Sequence, residues 1–164
     1  MNRNEERDVA YHEAGHAVAA IAVGMSFKSV SIIPSESSWG RLLLRKMSDF
    51  HPDVERDRRT VNLAKKYMFA ALGGPVSEKK RGRGGGLGEG DVQEVFNMAA
   101  RLCGSFEETE AYVNFTWCQV EQSVKLNWKA IRIVVRQLIK CKTLKCQEVK
   151  ALIQDQLSPV LYLL

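Results

Sequence analysis

The sequence has no apolar run long enough to cross a bilayer. Its longest mostly apolar stretch near the N-terminus is Ala17–Met25, whereas a transmembrane helix needs about 20 such residues. Acidic residues precede this stretch and no cleavage pattern follows it, so it does not resemble a secretory signal. We therefore expect a cytoplasmic chain with no membrane segment of its own.

Cysteine is also scarce, and its spacing excludes the common cysteine-based sites. The four cysteines form no CxxC pair, and the last two fit no common zinc ribbon. A cytoplasmic environment would keep all of them reduced. We interpret them as packing residues or inert thiols. They are Cys103, Cys118, Cys141 and Cys146.

Two further classes of function find little support in the sequence. The net charge is +5, but apart from the KKRGR segment at residues 79–83 the basic residues are spread along the chain. No nucleic-acid-binding motif accompanies them, so no nucleic-acid partner is expected. No Gly-Lys-Ser/Thr sequence occurs, and the glycine-rich stretch at residues 81–90 does not follow a predicted strand. The sequence therefore predicts no nucleotide site.

Hydrophobic periodicity predicts one mainly helical domain over residues 1–164, with a small β element near the N-terminus. Two apolar runs within residues 27–46 have the character of strands and predict a hairpin or small sheet. The second predicted helix should end or kink at Gly73-Gly74-Pro75. The predicted helices cover approximately residues 5–24, 61–72, 91–103, 107–139 and 149–157.

Histidine is rare, yet two of the three histidines lie four residues apart in the sequence HEAGH. On a helix, this spacing places His12 and His16 on one side, close enough to share a metal ion, and zinc prefers such imidazole ligands. Glu13 lies about 100° further around the helix, where it can contact a water held by the metal and take its proton. Without such a purpose, burying these groups in an alanine-rich helix would be costly. The motif therefore predicts a zinc site that hydrolyses peptide bonds, although a helix face can also carry two surface histidines.

A zinc site needs a third protein ligand, and spacing alone does not identify it. The third histidine of metzincins is excluded, because Ala19 and Ala22 occupy the positions where that class has glycine and histidine. His51 lies in a predicted loop without a supporting pattern. A downstream carboxylate is therefore expected. The candidates are Glu36, Asp49, Asp53, Glu55, Glu78, Glu89 and Asp91.

Several segments occur in a characteristic order along the chain. They are AYHEAGHAV, VSIIP, LGGPVSE, GDVQEVFNMAARL and NWKAIRIVVRQLIKCKTLKCQEVKALI. Together they resemble the peptidase domain of the FtsH family of zinc proteases, over nearly the whole chain. The resemblance implies a mainly helical fold with a small β element, Asp91 as the third zinc ligand, and Glu78 near the metal helices, where it could orient a ligand. Without the resemblance, Asp91 and Glu94 would be interpreted as a helix capping box.

The resemblance further implies a zinc metalloendopeptidase that cleaves unfolded or short polypeptides. The family's ATPase module and transmembrane helices do not occur in this sequence, so we expect cleavage without ATP, or with a separate ATPase or self-association as partner. An extended substrate could add to an exposed sheet edge, for which the candidates are Ser31, Ile32 and Ile33. The alternative is a noncatalytic domain that binds a peptide or an ATPase and retains the fold.

Overall fold

The computed structural model describes residues 2–35, 40–44, 57–82 and 88–160. These residues form six helices and one three-stranded sheet, which confirms a mainly helical fold with a small β element. No helix within these ranges is long and apolar enough to cross a membrane. The elements are α1 Arg3–Ala22, β1 Phe27–Ser31, β2 Arg41–Leu44, α2 Arg58–Lys80, α3 Glu89–Ala100, α4 Phe106–Leu126, α5 Trp128–Cys141, β3 Thr143–Lys145 and α6 Cys146–Ile153.

Helix α1 begins with a complete capping box, and a glycine follows shortly after its last residue. The Asn2 side chain accepts a hydrogen bond from the Glu5 N–H at 3.0 Å, and the Glu5 carboxylate accepts one from the Asn2 N–H at 2.7 Å. Beyond the helix, Gly24 has a φ of 73°, a left-handed conformation that glycine adopts without strain. Every residue from Val9 to Ala22 is buried, so the HEAGH sequence lies in the core.

Helix α2 packs closely along α1 because both helices carry glycine at their contact. A Cβ on Gly15 would collide with the Gly73 carbonyl and the Ser77 hydroxyl, and a Cβ on Gly73 would lie 2.5 Å from the Gly15 carbonyl oxygen. The prediction that α2 ends at Gly73-Gly74-Pro75 is wrong, because the helix continues to Lys80, whereas the alternative of a kink there stays a prediction. Burial of this segment against α1 compensates for the hydrogen bond that proline cannot donate.

The sheet has the order β2-β1-β3, with both pairs antiparallel. The predicted pairing of the two apolar runs is therefore confirmed in β1 and β2. A register shift between Phe27 and Ser29 interrupts simple alternation, so that Phe27 and Val30 are both buried. Strand β3 was not predicted, because three residues are too few for a periodic pattern to show.

The single helix predicted over residues 107–139 is wrong, because the structure has two helices that meet at Asn127. The Asn127 side chain is buried and donates hydrogen bonds to the carbonyl oxygens of Ser123 and Ser158, both at 3.0 Å. Its amide oxygen accepts one from the Ser158 N–H at 2.7 Å. The apolar stripe continues across this junction, so periodicity alone does not reveal the break.

Candidate metal centre

His12 and His16 direct one nitrogen each toward a common point. Both side chains are buried in the middle of α1. Their Nε2 atoms are 2.8 Å apart, and their ring planes are nearly perpendicular, with an angle of 85° between them. This geometry follows from the four-residue spacing, which brings the two rings together on one helix face.

The second nitrogen of each ring is held by a hydrogen bond to α2. His12 Nδ1 donates to the Glu78 carboxylate, and His16 Nδ1 donates to the Ala70 carbonyl oxygen at 2.9 Å. With the proton on Nδ1, the Nε2 lone pairs are free to bind a cation. A carboxylate or carbonyl partner on the far nitrogen is also the usual support of a metal-binding imidazole. The structure thus brings Glu78 to the ligand that it could orient.

Asp91 completes the group from a third helix. Its Oδ2 atom lies 3.1 Å from His12 Nε2 and 3.4 Å from His16 Nε2. The three side chains could therefore hold one metal ion. The interpretation of Asp91 as a helix cap is wrong, because Gly88 is the N-cap residue of α3 and no side chain caps this helix.

Two further ligand candidates lie among the described residues, and neither belongs to this group. Glu78 contacts the opposite nitrogen of His12, and Glu89 is exposed at the start of α3. Among the residues that the structure describes, only one group of metal-ligating side chains is found. The other predicted carboxylate candidates lie outside the described ranges, as does His51: they are Glu36, Asp49, Asp53 and Glu55.

Side-chain contacts join α2 to α3 and α2 to α1 around the group. The Tyr67 hydroxyl on α2 donates a hydrogen bond to Glu94, one turn after Asp91 on α3. Burial and the Glu94 charge raise the pKa of Tyr67, so the hydroxyl keeps its proton and remains a donor. At the end of α2, the Arg81 guanidinium pairs with Asp8 of α1. These contacts position Asp91 and Glu78 relative to α1.

Glu13 is buried beside the histidines, and one of its carboxylate oxygens has no hydrogen-bond partner among the described residues. Its side chain is almost fully buried, and its Oε2 atom has no hydrogen-bond partner among the described residues. Burial raises the pKa of Glu13, and the charges of His16 and His12 act in the opposite direction. An unpaired buried carboxylate oxygen costs stability, which is the kind of cost that functional sites retain.

The charges of the group shift two pKa values in opposite directions. Burial lowers the pKa of His12, but hydrogen bonds to Asp91 and Glu78 and the Glu13 charge outweigh it and raise the value to about 9. Burial raises the pKa of Asp91, but hydrogen bonds from His12 and His16 and their charges hold it well below its usual range. In the metal-free chain, these shifts favour the protonated form of His12 and the ionised form of Asp91.

We expect the metal-free protein to lose stability as the pH rises from about 6.5 to 9. The pKa of His12 is about 9 in the folded chain and 6.5 without its neighbours. The stabilising proton is therefore fully bound below about pH 6.5 and is lost as the pH rises through the folded value. Thermal unfolding in excess chelator should show a falling midpoint. A smaller fall of the midpoint in Asp91→Asn would support the loss of the His12 proton as the cause. A midpoint that rises over this pH range would contradict it.

The site also depends on Gly74, for which the sequence predicted a role in ending or kinking the helix but no role at the site. A Cβ on Gly74 would lie 2.5 Å from His16 Nε2 and 2.8 Å from His12 Cε1. We expect Gly74→Ala to lose the bound metal, because the methyl group would displace the rings from their common point. Metal content per folded chain measures this effect. The control is Gly104→Ala, which should keep its metal. The atom nearest to the added Cβ is there an oxygen of the flexible Glu108 carboxylate, at 3.3 Å. Full metal content in Gly74→Ala would contradict the geometry.

The predicted substrate strand is not at an edge of the sheet. Ser31 pairs with Arg41 of β2 on one side and with Thr143 of β3 on the other. Ile32 is buried and donates its N–H to a main-chain carbonyl, whereas Ile33 is 56% exposed. The expectation of an exposed edge at β1 is therefore wrong, and the edges of the described sheet are β2 and β3. Substrate contact by these residues stays a prediction.

Comparisons with known proteins add no family assignment. No model of a known protein family matches the sequence, and a search of curated proteins finds no match. The fold and site define a mainly helical protein in which two buried histidines and a partly exposed aspartate could hold a metal ion. The resemblance to the FtsH peptidase domain rests on the quoted segments and stays a prediction.

Proposed function

We propose that the chain is a zinc metalloendopeptidase that hydrolyses peptide bonds in unfolded or short polypeptides. The observation that carries the proposal is the convergence of Asp91 Oδ2 on the Nε2 atoms of His12 and His16. Asp91 is far from the histidines in sequence and reaches them from a different helix. It is also the carboxylate that the resemblance implies as the third ligand.

The donor atoms suit zinc. Zinc binds imidazole nitrogen and carboxylate oxygen in a tetrahedral arrangement at about 2.0–2.2 Å, which separates ligand atoms by roughly 3.3 Å. The three separations here are 2.8, 3.1 and 3.4 Å. A set of three protein ligands leaves one position open, as in catalytic zinc sites, whereas structural sites usually have four protein ligands.

Glu13 is the group of this chain that moves protons. A bound zinc ion would polarise the peptide carbonyl and lower the pKa of water to about 7. Glu13, adjacent to His12 and not among the three converging ligands, accepts the proton of the attacking water and passes it to the leaving amine. The direction of its pKa shift suits the role of proton acceptor, because a carboxylate with a raised pKa is a stronger base.

The sheet offers a place for an extended substrate. Strand β2 pairs with β1 and, within the described part of the sheet, has no strand on its other side. Gly40 directly precedes β2 and lies against the Glu13 side chain, so a peptide that pairs with β2 would pass close to Glu13. Main-chain pairing is largely blind to side chains, which suits an unfolded substrate, and the exposed Ile33 could add an apolar contact.

Partners and location are proposed from the sequence. Peptide hydrolysis at this site needs no ATP, so the chain should cleave an already unfolded substrate without it. A separate ATPase or self-association would serve substrates that need unfolding first. A cytoplasmic location also stays a prediction of the sequence.

The proposal is tested with casein and an unstructured fluorogenic peptide, in buffer without ATP. The purified chain should contain about one zinc ion, as expected for one three-ligand site, and should cleave both substrates. A zinc chelator should stop cleavage, and added zinc should restore it. Zinc-loaded protein that binds the peptide without cleaving it would favour the noncatalytic alternative. Absence of both zinc binding and cleavage would contradict the proposal.

A further inference from the structure

Gly40 touches the side chain of Glu13 where no larger residue fits. A Cβ at this position would lie 2.6 Å from Glu13 Oε1, 2.7 Å from Glu13 Cγ and 2.8 Å from Val9 Cγ1. Such separations are shorter than real Cβ contacts. A side chain at residue 40 therefore requires Glu13, Val9 or the main chain at residue 40 to shift.

The contact is important because Glu13 has little else to hold its carboxylate. Buried carboxylates are normally fixed by hydrogen bonds, but Glu13 Oε2 has none among the residues that the structure describes. The Oε1 and Cγ atoms of Glu13 lie directly beside Gly40, next to which Val9 Cγ1 also lies. Packing on one side thus determines the direction in which the free oxygen points.

We propose that Gly40 is a positioning residue, which sets the direction from which Glu13 accepts the proton of the attacking water. This inference rests on the proposed function, because direction matters only if Glu13 transfers a proton. It assigns different tasks to two glycines at the site. A Cβ on Gly74 would lie nearest to ring atoms of the two histidines, whereas the three atoms nearest to a Cβ on Gly40 belong to the proton acceptor Glu13 and to Val9.

An added methyl group should move Glu13 before it moves the strand. The carboxylate is the end of a flexible side chain, whereas Gly40 adjoins β2, which is hydrogen-bonded to β1. A proton acceptor must lie within about 2.6–3.2 Å of its donor. Because a misplacement of about 1 Å can cost a factor of about 100 in rate, the defect should appear in kcat, with little change in KM.

The first test compares three alanine variants in the zinc-loaded, full-length chain. Gly40→Ala should keep its zinc and lose about 100-fold in kcat, with a KM close to that of the wild type. Gly74→Ala should lose zinc, and Gly104→Ala should resemble the wild type in both measurements. A kcat for Gly40→Ala within a factor of about two of the wild type, or a loss of kcat that follows a loss of zinc, would overturn the inference.

The second test does not depend on activity. Thermal unfolding midpoints are measured for the wild type, Gly40→Ala, Glu13→Ala and the double variant. Gly40→Ala should lower the midpoint in the wild-type background and lower it by less than half as much in Glu13→Ala, because Oε1 and Cγ are then absent. Shifts of the two single variants that add up in the double variant would contradict the contact between Gly40 and Glu13. A wild-type chain without chelator-sensitive cleavage would instead overturn the proposed function, and the positioning role with it.

Discussion

Replacement of Glu13 by glutamine is expected to leave zinc bound and to lower the rate of peptide cleavage about 10²–10⁴-fold, the range attributed to general acid–base catalysis. Glutamine has nearly the same shape, so it should keep the contact with Gly40. It has no basic oxygen that can accept the proton of water. Glu13 is not among the three converging ligands, and the loss should therefore appear in turnover and not in metal content.

The measurement is kcat on the fluorogenic peptide, together with zinc per chain by elemental analysis. Glu110→Gln is the matched control, because Glu110 is exposed on α4 and forms none of the contacts described at the site. It should cleave as fast as the wild type. Equal rates for Glu13→Gln and the wild type would remove Glu13 from the mechanism.

Replacement of Asp91 by alanine is expected to abolish zinc binding at stoichiometric concentrations. Two imidazoles would remain, and the carboxylate that lies 3.1 and 3.4 Å from them would be absent. Loss of a residue that only supports a ligand typically weakens metal binding about 10–100-fold, and loss of a ligand itself should cost more. Cleavage should disappear together with the zinc.

Zinc affinity for this variant is measured by competition with a chelating indicator. Glu89→Ala is the matched control, because Glu89 lies in the same first turn of α3 and is exposed. It should bind zinc as the wild type does. Full zinc occupancy in Asp91→Ala would place the third ligand elsewhere. The candidates left by the sequence would then include Glu36, Asp49, Asp53 and Glu55.

The histidine pair was predictable from the sequence because its geometry is local. A four-residue spacing within an alanine-rich helix determines that His12 and His16 share one face, and their Nε2 atoms are indeed 2.8 Å apart. The position of Asp91 depends on how α3 packs against α2 and α4, which spacing does not reveal. Only the family resemblance ranked Asp91 above the other carboxylates.

The glycines at the site could not be assigned a role from sequence alone. Gly74 and Gly40 are needed because main chain approaches the rings and the Glu13 side chain, and such approaches are properties of tertiary packing. The break at Asn127 escaped detection for a similar reason, since one of its partners is Ser158, 31 residues away. The central position of β1 likewise depends on its pairing with β3, which is too short to predict.

The most direct test of the account is an anomalous diffraction map, recorded at the zinc absorption edge from crystals of the zinc-loaded chain. We predict one strong peak, about 2.0–2.2 Å from His12 Nε2, His16 Nε2 and an Asp91 carboxylate oxygen. A map without a peak among these three atoms, or with its peak at another set of side chains, would contradict the account.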